Sequence, residues 1–155
     1  MSTSHNIFIS HRHEDDSHIE KLKALLKARG RDVRDSSINS DNPNDAKSEA
    51  YIKSILADRI TWAGTMIVLV SPQTKDHEWV DWEIEYASKF PDKRIVGVWV
   101  EGAENTDLPE ALQKLADSVV KWDADAIIAA IDGADNWQQT DGSATPPRQI
   151  PRINC

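Results

Sequence analysis

Cysteine is almost missing from this chain: a single one, Cys155, stands at the last of 155 positions, so no intrachain disulfide can form. Missing too is any apolar run near the roughly 18 residues that cross a membrane. The first residues, "MSTSHNIFIS", have neither the basic start nor the long apolar stretch of a secretory leader. These absences give the expectation of a cytoplasmic protein with no membrane partner. Positive charge is also short. Lys and Arg total 18 against 26 Asp and Glu, a formal charge of −8, which argues against a partner held by broad phosphate neutralisation, as nucleic acid is. An anionic nucleotide stays within reach through local cations or backbone amides. What is present suffices for a core: 39% of residues are hydrophobic and 28% charged, the balance of a folded domain rather than a disordered chain.

The apolar residues fall into alternating strand and helix patterns. "HNIFIS" is a short apolar run with polar flanks and reads as a buried first strand. Ile19, Leu22, Leu25 and Leu26 then recur at helical spacing over Asp15 to Arg29, and Gly30 suits a left-handed C-terminal turn. "RDVRD" is a brief second strand, followed by the polar loop "SSINSDNPND". A second helix carries Ala50, Ile52, Ile55, Leu56 and Ile60 on one stripe. "TMIVLVS" is almost wholly apolar, as a strand covered on both faces should be. After it come the loop "PQTKDHE", the helix "WVDWEIEYASKF", the strand "RIVGVWV", the helix "LPEALQKLAD", the strand "SVVKW" and the helix "DADAIIAAI".

Five strand–helix alternations with short connections predict an α/β fold. Its five-stranded parallel sheet takes the flavodoxin-like order 2-1-3-4-5, with helices on both faces. In such sheets ligands sit beyond the carboxyl ends of the strands, near the switch point between strands 1 and 3. Residues 1–132 make the domain, and 133–155, polar and Pro-containing, read as an irregular C-terminal tail.

"FISHRHEDD" raises the question of metal, because His-x-His-x-Asp opens the dinuclear zinc centre of metallo-β-lactamase-like hydrolases. That centre needs a further His where Asp16 stands, and later His and Asp ligands. Downstream of His18 the chain has only His77. No metal site is therefore expected. A phospho-accepting receiver domain shares the strand order, but Ser71 stands at the end of strand 3 where its acceptor Asp belongs.

Three segments together resemble the Toll/interleukin-1-receptor (TIR) family. "FISHRHEDD" looks like its first box, "RDVRDSSIN" stands where the family has its second strand and BB loop, and "IVLVSPQTKDHEWVDWEI" resembles its third strand and helix C with Trp-x-x-x-Glu. With "WVDWEIEYA" and "LPEAL" followed by "VVKWDAD", the chain is similar to the TIR-like proteins of the Thoeris antiphage system, over roughly residues 6 to 132. It departs from many TIR domains in lacking a small Gly in the BB loop.

The resemblance implies a TIR fold and an enzyme that cleaves NAD+ at the nicotinamide–ribose bond with a helix C glutamate, here Glu83. NAD+ is then a substrate, and no cofactor is implied. The products would be ADP-ribose or a cyclic ADP-ribose-type messenger acting on a separate effector, and self-association through TIR surfaces would be expected. Chemistry explains the carboxylate, since positive charge develops on the ribose as nicotinamide leaves. On a helix Trp79 and Glu83 share a face, so an aromatic ring and a carboxylate can meet one ligand. Ser10 and His11 end strand 1 beside this region, and Arg12 offers a local cation for a diphosphate. Asp35 and Ser36 open the BB loop, and Thr74 lies in the loop before helix C. Besides the catalytic Glu83, these are the seven expected substrate-binding positions. Each has an ordinary structural role open to it: a solvated charge, a turn residue, or a packing ring. The alternative function is a non-catalytic TIR-like adaptor, for which Trp82 and Trp137 would serve as exposed docking rings.

Overall fold

The computed structural model describes residues 3–11, 17–35, 49–71, 78–100 and 108–143. In chain order the elements are β1 (Thr3–Ser10), α1 (Ser17–Lys27), β2 (Arg31–Asp35), α2 (Glu49–Trp62), β3 (Thr65–Val70), α3 (Glu78–Ala87), β4 (Arg94–Trp99), α4 (Glu110–Leu115), β5 (Ser118–Val120) and α5 (Ala124–Ile131). The sheet order is β2-β1-β3-β4-β5, and every pairing is parallel. The expected α/β topology is the observed one. The chain reverses direction of travel at the β1/β3 boundary, where Ser10 pairs with Val68.

Side-chain alternation splits the core into two layers. Phe8, Met66, Val68, Ile95 and Trp99 face Leu56 and Ile60 of α2, Val80, Ile84 and Ala87 of α3, and Leu112 of α4. Ile7, Ile9, Ile67, Leu69, Val96 and Val98 face the other way, onto Ile19, Leu22 and Leu26 of α1 and Ile127 and Ile131 of α5. All six residues of β3 are buried, which explains why its sequence is a continuous apolar run: helices cover both sides of it. Burial of residues this size contributes roughly 1.5–3 kcal/mol each, so the stripe residues that differ in sequence from simple alternation mark the strands most enclosed.

Local signals account for several boundaries. Helix α1 ends in a turn through Gly30, whose φ of +77° is the left-handed conformation that favours glycine. Asp123 caps α5 by accepting a hydrogen bond from the Ala126 amide at 2.9 Å. At Gly97 the sheet and α4 meet closely: a Cβ there would lie 2.9 Å from Leu112 Cδ2 and 3.2 Å from Val119 Cγ2.

The last described stretch carries no helix or named strand, yet it docks against the sheet. The Val119 amide donates to the Asn136 carbonyl and the Gln138 amide to the Val119 carbonyl, both at 2.8 Å, so residues 136–138 line the β5 edge. The buried Trp99 indole donates to the Gln138 carbonyl at 2.9 Å, and Arg94 donates to the Ala130 and Ala134 carbonyls and pairs with Asp135. No described helix is long and apolar enough to cross a membrane.

Candidate functional site

Helix α3 carries Val80, Glu83, Ile84 and Ala87 at i, i+3, i+4 and i+7, the spacing of one helical face. Three of the four are fully buried apolar residues packed on the sheet. The fourth is a glutamate. Its place in the stripe draws the carboxylate inward, and Glu83 retains only 8% of its exposure.

The partner that meets it comes from β1. Phe8 and Ser10 point to the α2–α4 side of the sheet, two residues apart as strand geometry requires, and Ser10 is the last residue of the strand. Its hydroxyl, on a residue 1% exposed, donates to Glu83 Oε1 at 2.7 Å across 73 positions of sequence. Oε2, the second carboxyl oxygen, makes no hydrogen bond among the described residues and is not one of their fully enclosed unpartnered atoms. Among those residues Glu83 has no ion pair.

Burial is the largest influence on the protonation of this group. Removing a carboxylate from water disfavours its charged form, and one hydroxyl donor offsets only part of that. The Glu83 pKa is pushed from the ordinary 4.5 up to about 8, desolvation raising it and the Ser10 hydrogen bond lowering it. A buried carboxyl at the carboxyl ends of parallel strands, with no charged partner among the described residues, is a candidate functional group.

His11 follows Ser10 and is half-buried, its Nδ1 lying 3.0 Å from the Ile9 carbonyl, which fixes the ring locally. Ser71, the residue after β3, is buried with 4% exposure and ends the neighbouring strand. The sequence gives little sign of Ser71 as a site residue except its position at a strand end. The backbones of Asp35 and Trp79 belong to β2 and α3, while their side chains lie outside the described residues, as do Arg12, Ser36 and Thr74. Of the positions expected to form the site, the structure thus brings together Ser10 and Glu83, with His11 adjoining them along β1.

Glu85 is exposed, as its place about 200° around the helix from Glu83 requires. Trp82 is half-buried, stacked on Tyr86 with ring centroids 5.5 Å apart, and Lys53 Nζ stands 5.5 Å from its ring. Trp137 is half-buried against the same core layer. The one large hydrophobic residue with high exposure among the described residues is Trp62, at 46%. His18 packs edge-on against Trp122 at 5.9 Å, and no group of three or more His, Cys, Asp or Glu among the described residues is placed to hold a metal ion.

Strand order defines a doubly wound α/β protein of flavodoxin-like topology, with a buried glutamate of α3 at the strand ends. Residues 8–105 match the family described as "Thoeris protein ThsB, TIR-like domain", and the chain belongs to that family. Solved structures similar to it include the TIR domains of the activated Roq1 resistosome that recognises the pathogen effector XopQ. That match has 21% identity and a TM-score of 0.42, covering 61% of this chain and 57% of the other, so the chain spans little over half of that relative. Another is the CMP N-glycosidase BcmB of Clostridium botulinum, at 20% identity and TM-score 0.43 over 61% of this chain and 71% of that one. A third, a conserved protein from Enterococcus faecalis, has 14% identity and TM-score 0.45 over 66% of each chain. No curated protein matches the chain.

Proposed function

We propose that this protein cleaves the bond between nicotinamide and ribose in NAD+ and passes the ADP-ribosyl unit to water or to an acceptor within the same molecule. The observation that carries this reading is Glu83: a carboxyl drawn into the core stripe of α3, held by one hydroxyl, with no neutralising cation among the described residues. Membership of the Thoeris TIR-like family supports it.

The chemistry follows from the group's electrostatics. NAD+ brings a positively charged pyridinium, and as the glycosidic bond lengthens that charge moves onto the ribose. A cation beside Glu83 favours its ionised form, reversing the effect of burial. The carboxylate then stabilises the developing oxocarbenium in a site from which water is largely excluded, where a charge acts more strongly than in solution. Nicotinamide departs neutral with the bonding electron pair, so neither a metal nor a resident cofactor is required by the reaction. Water attacking C1′ gives ADP-ribose and a proton; a hydroxyl or ring nitrogen of the same nucleotide gives a cyclic product. In this reading His11, Arg12, Asp35, Ser36, Thr74 and Trp79 surround the nucleotide, the product activates a separate effector in antiphage defence, and the protein works in the cytoplasm, where copies associate through TIR surfaces.

Trp82 and Trp137, which as exposed docking rings would suit the adaptor reading, are half-buried against the core, and Glu83 is the residue that separates the two readings. Incubating the full chain with NAD+ and identifying products by mass spectrometry tests the proposal. Nicotinamide release by the native protein and its loss in Glu83→Gln support it. Equal release by both proteins overturns it.

A further inference from the structure

The Ser10 hydroxyl was expected among the substrate contacts, and the structure points to a different task. We infer that Ser10 is a positioning residue: by donating to Oε1 it fixes the rotation of the Glu83 carboxyl and leaves Oε2 as the oxygen that meets the ribose. This inference rests on the proposed glycosidic cleavage and deepens it, because it says which half of the carboxyl is available to the substrate.

Geometry supports the division of labour. Ser10 retains 1% exposure, so its side chain offers almost no surface to a ligand, and its donor is already engaged with Glu83 at 2.7 Å. A carboxyl on a long side chain has a nearly free terminal torsion. One short hydrogen bond from a strand end removes that freedom, and its donor is itself held in the sheet, where Ser10 pairs with Val68 of β3. The donor comes from a strand and the acceptor from a helix, so their separation is set by sheet–helix packing rather than by a loop. Val80 and Ile84, fully buried to either side of Glu83 on the same stripe, hold the helix at that distance.

Hydroxyl donation also favours the ionised carboxyl over the neutral one. Ser10 therefore supports catalysis twice without touching substrate: it orients the acid and eases its ionisation. Loss of the hydroxyl should slow the chemical step while leaving nucleotide affinity unchanged, a split that a direct substrate contact would not produce.

The test uses the full-length chain and the variants Ser10→Ala, which removes the donor, and Ser10→Cys, which keeps the volume but donates weakly. Nicotinamide release gives kcat and KM, and the carboxyl ¹³C signal of Glu83, followed by NMR against pH without substrate, gives its ionisation midpoint. Expected for Ser10→Ala is a fall in kcat on the order of tenfold or more, KM within about twofold of native, and a midpoint above the native value. Ser10→Cys should fall between, and it carries the test by itself if the alanine variant does not fold. A rise in KM with kcat intact makes Ser10 a substrate contact and overturns the inference. So does an unmoved carboxyl midpoint in the folded variants. Absence of nicotinamide release from the native chain overturns the NAD+ reading itself, an outcome distinct from either.

Discussion

Ser10 at the end of β1 and Glu83 in the middle of α3 meet in a 2.7 Å hydrogen bond, both residues buried. The pair links the sheet's switch point to the helix that follows β3, and burial there, offset only in part by the Ser10 hydroxyl, turns a surface-type residue into an acid of raised pKa. Most consequences of the structure that bear on function can be tested through this contact.

Glu83→Gln preserves shape and still accepts from Ser10 through its amide oxygen, so the variant should fold. Nicotinamide release should drop by about a hundredfold or more, since the carboxylate's charge is the lost element. Product analysis alongside circular dichroism checks both halves of the claim. A folded variant with native turnover would remove Glu83 from the chemistry.

Activity should rise with pH through about 8, the value to which burial lifts Glu83, because the ionised form stabilises the developing cation. The quantity to follow is kcat/KM, which reports ionisations of the free protein. A profile that falls across the same interval would instead make Glu83 a proton donor.

Stability should move the opposite way. Between about 4.5 and 8 the folded chain keeps a proton on Glu83 that the unfolded chain has released. The resulting contribution is fully present below 4.5 and is lost as pH rises through about 8. Across that window the native protein should lose on the order of 4 kcal/mol from this group alone. Urea unfolding of native protein and Glu83→Gln at several pH values isolates the effect, for the variant should lack this slope. Parallel slopes in the two proteins would show that Glu83 does not titrate abnormally.

Removing residues after Asp132 should destabilise the domain although it leaves every named helix and strand in place. The cut deletes the Ala134, Gln138 and Asn136 carbonyls, which accept from Arg94, from the buried Trp99 indole and from the Val119 amide respectively. At roughly 1 kcal/mol for each such bond, a loss of about 3–5 kcal/mol is expected in denaturant melts. An unchanged midpoint would mean that the segment contributes nothing to the fold.

Gly97→Ala places a methyl group 2.9 Å from Leu112 Cδ2, so α4 must shift or the side chain must leave its rotamer. Overpacking of this kind costs about 1–3 kcal/mol. Thermal unfolding reads it directly; a stability equal to native would show that α4 yields freely.

Much of the architecture was legible in local pattern. The continuous apolar run of β3, the helical spacing of Ile19, Leu22 and Leu26, and the turn at Gly30 each depend on residues a few positions apart, and the parallel 2-1-3-4-5 sheet follows from their alternation. Boundaries were less legible: β5 ends at Val120 rather than continuing through Trp122, because the Lys121 amide donates to the Gln138 side chain instead of extending the ladder. Trp82 looked exposed from its helical angle, yet Tyr86 and the core edge half-enclose it.

The sequence by itself determined that a strand ends at Ser10 and that a glutamate interrupts the apolar stripe of α3, since both are matters of period along one element. It did not determine that these two positions meet, nor that residues 136–138 run along the β5 edge. Those contacts span long stretches of chain, and only the packing of helices onto a closed-order sheet sets their distances. The shift of the Glu83 pKa belongs to the same class: it arises from water excluded by neighbours that are far away in sequence, and no local pattern carries that quantity.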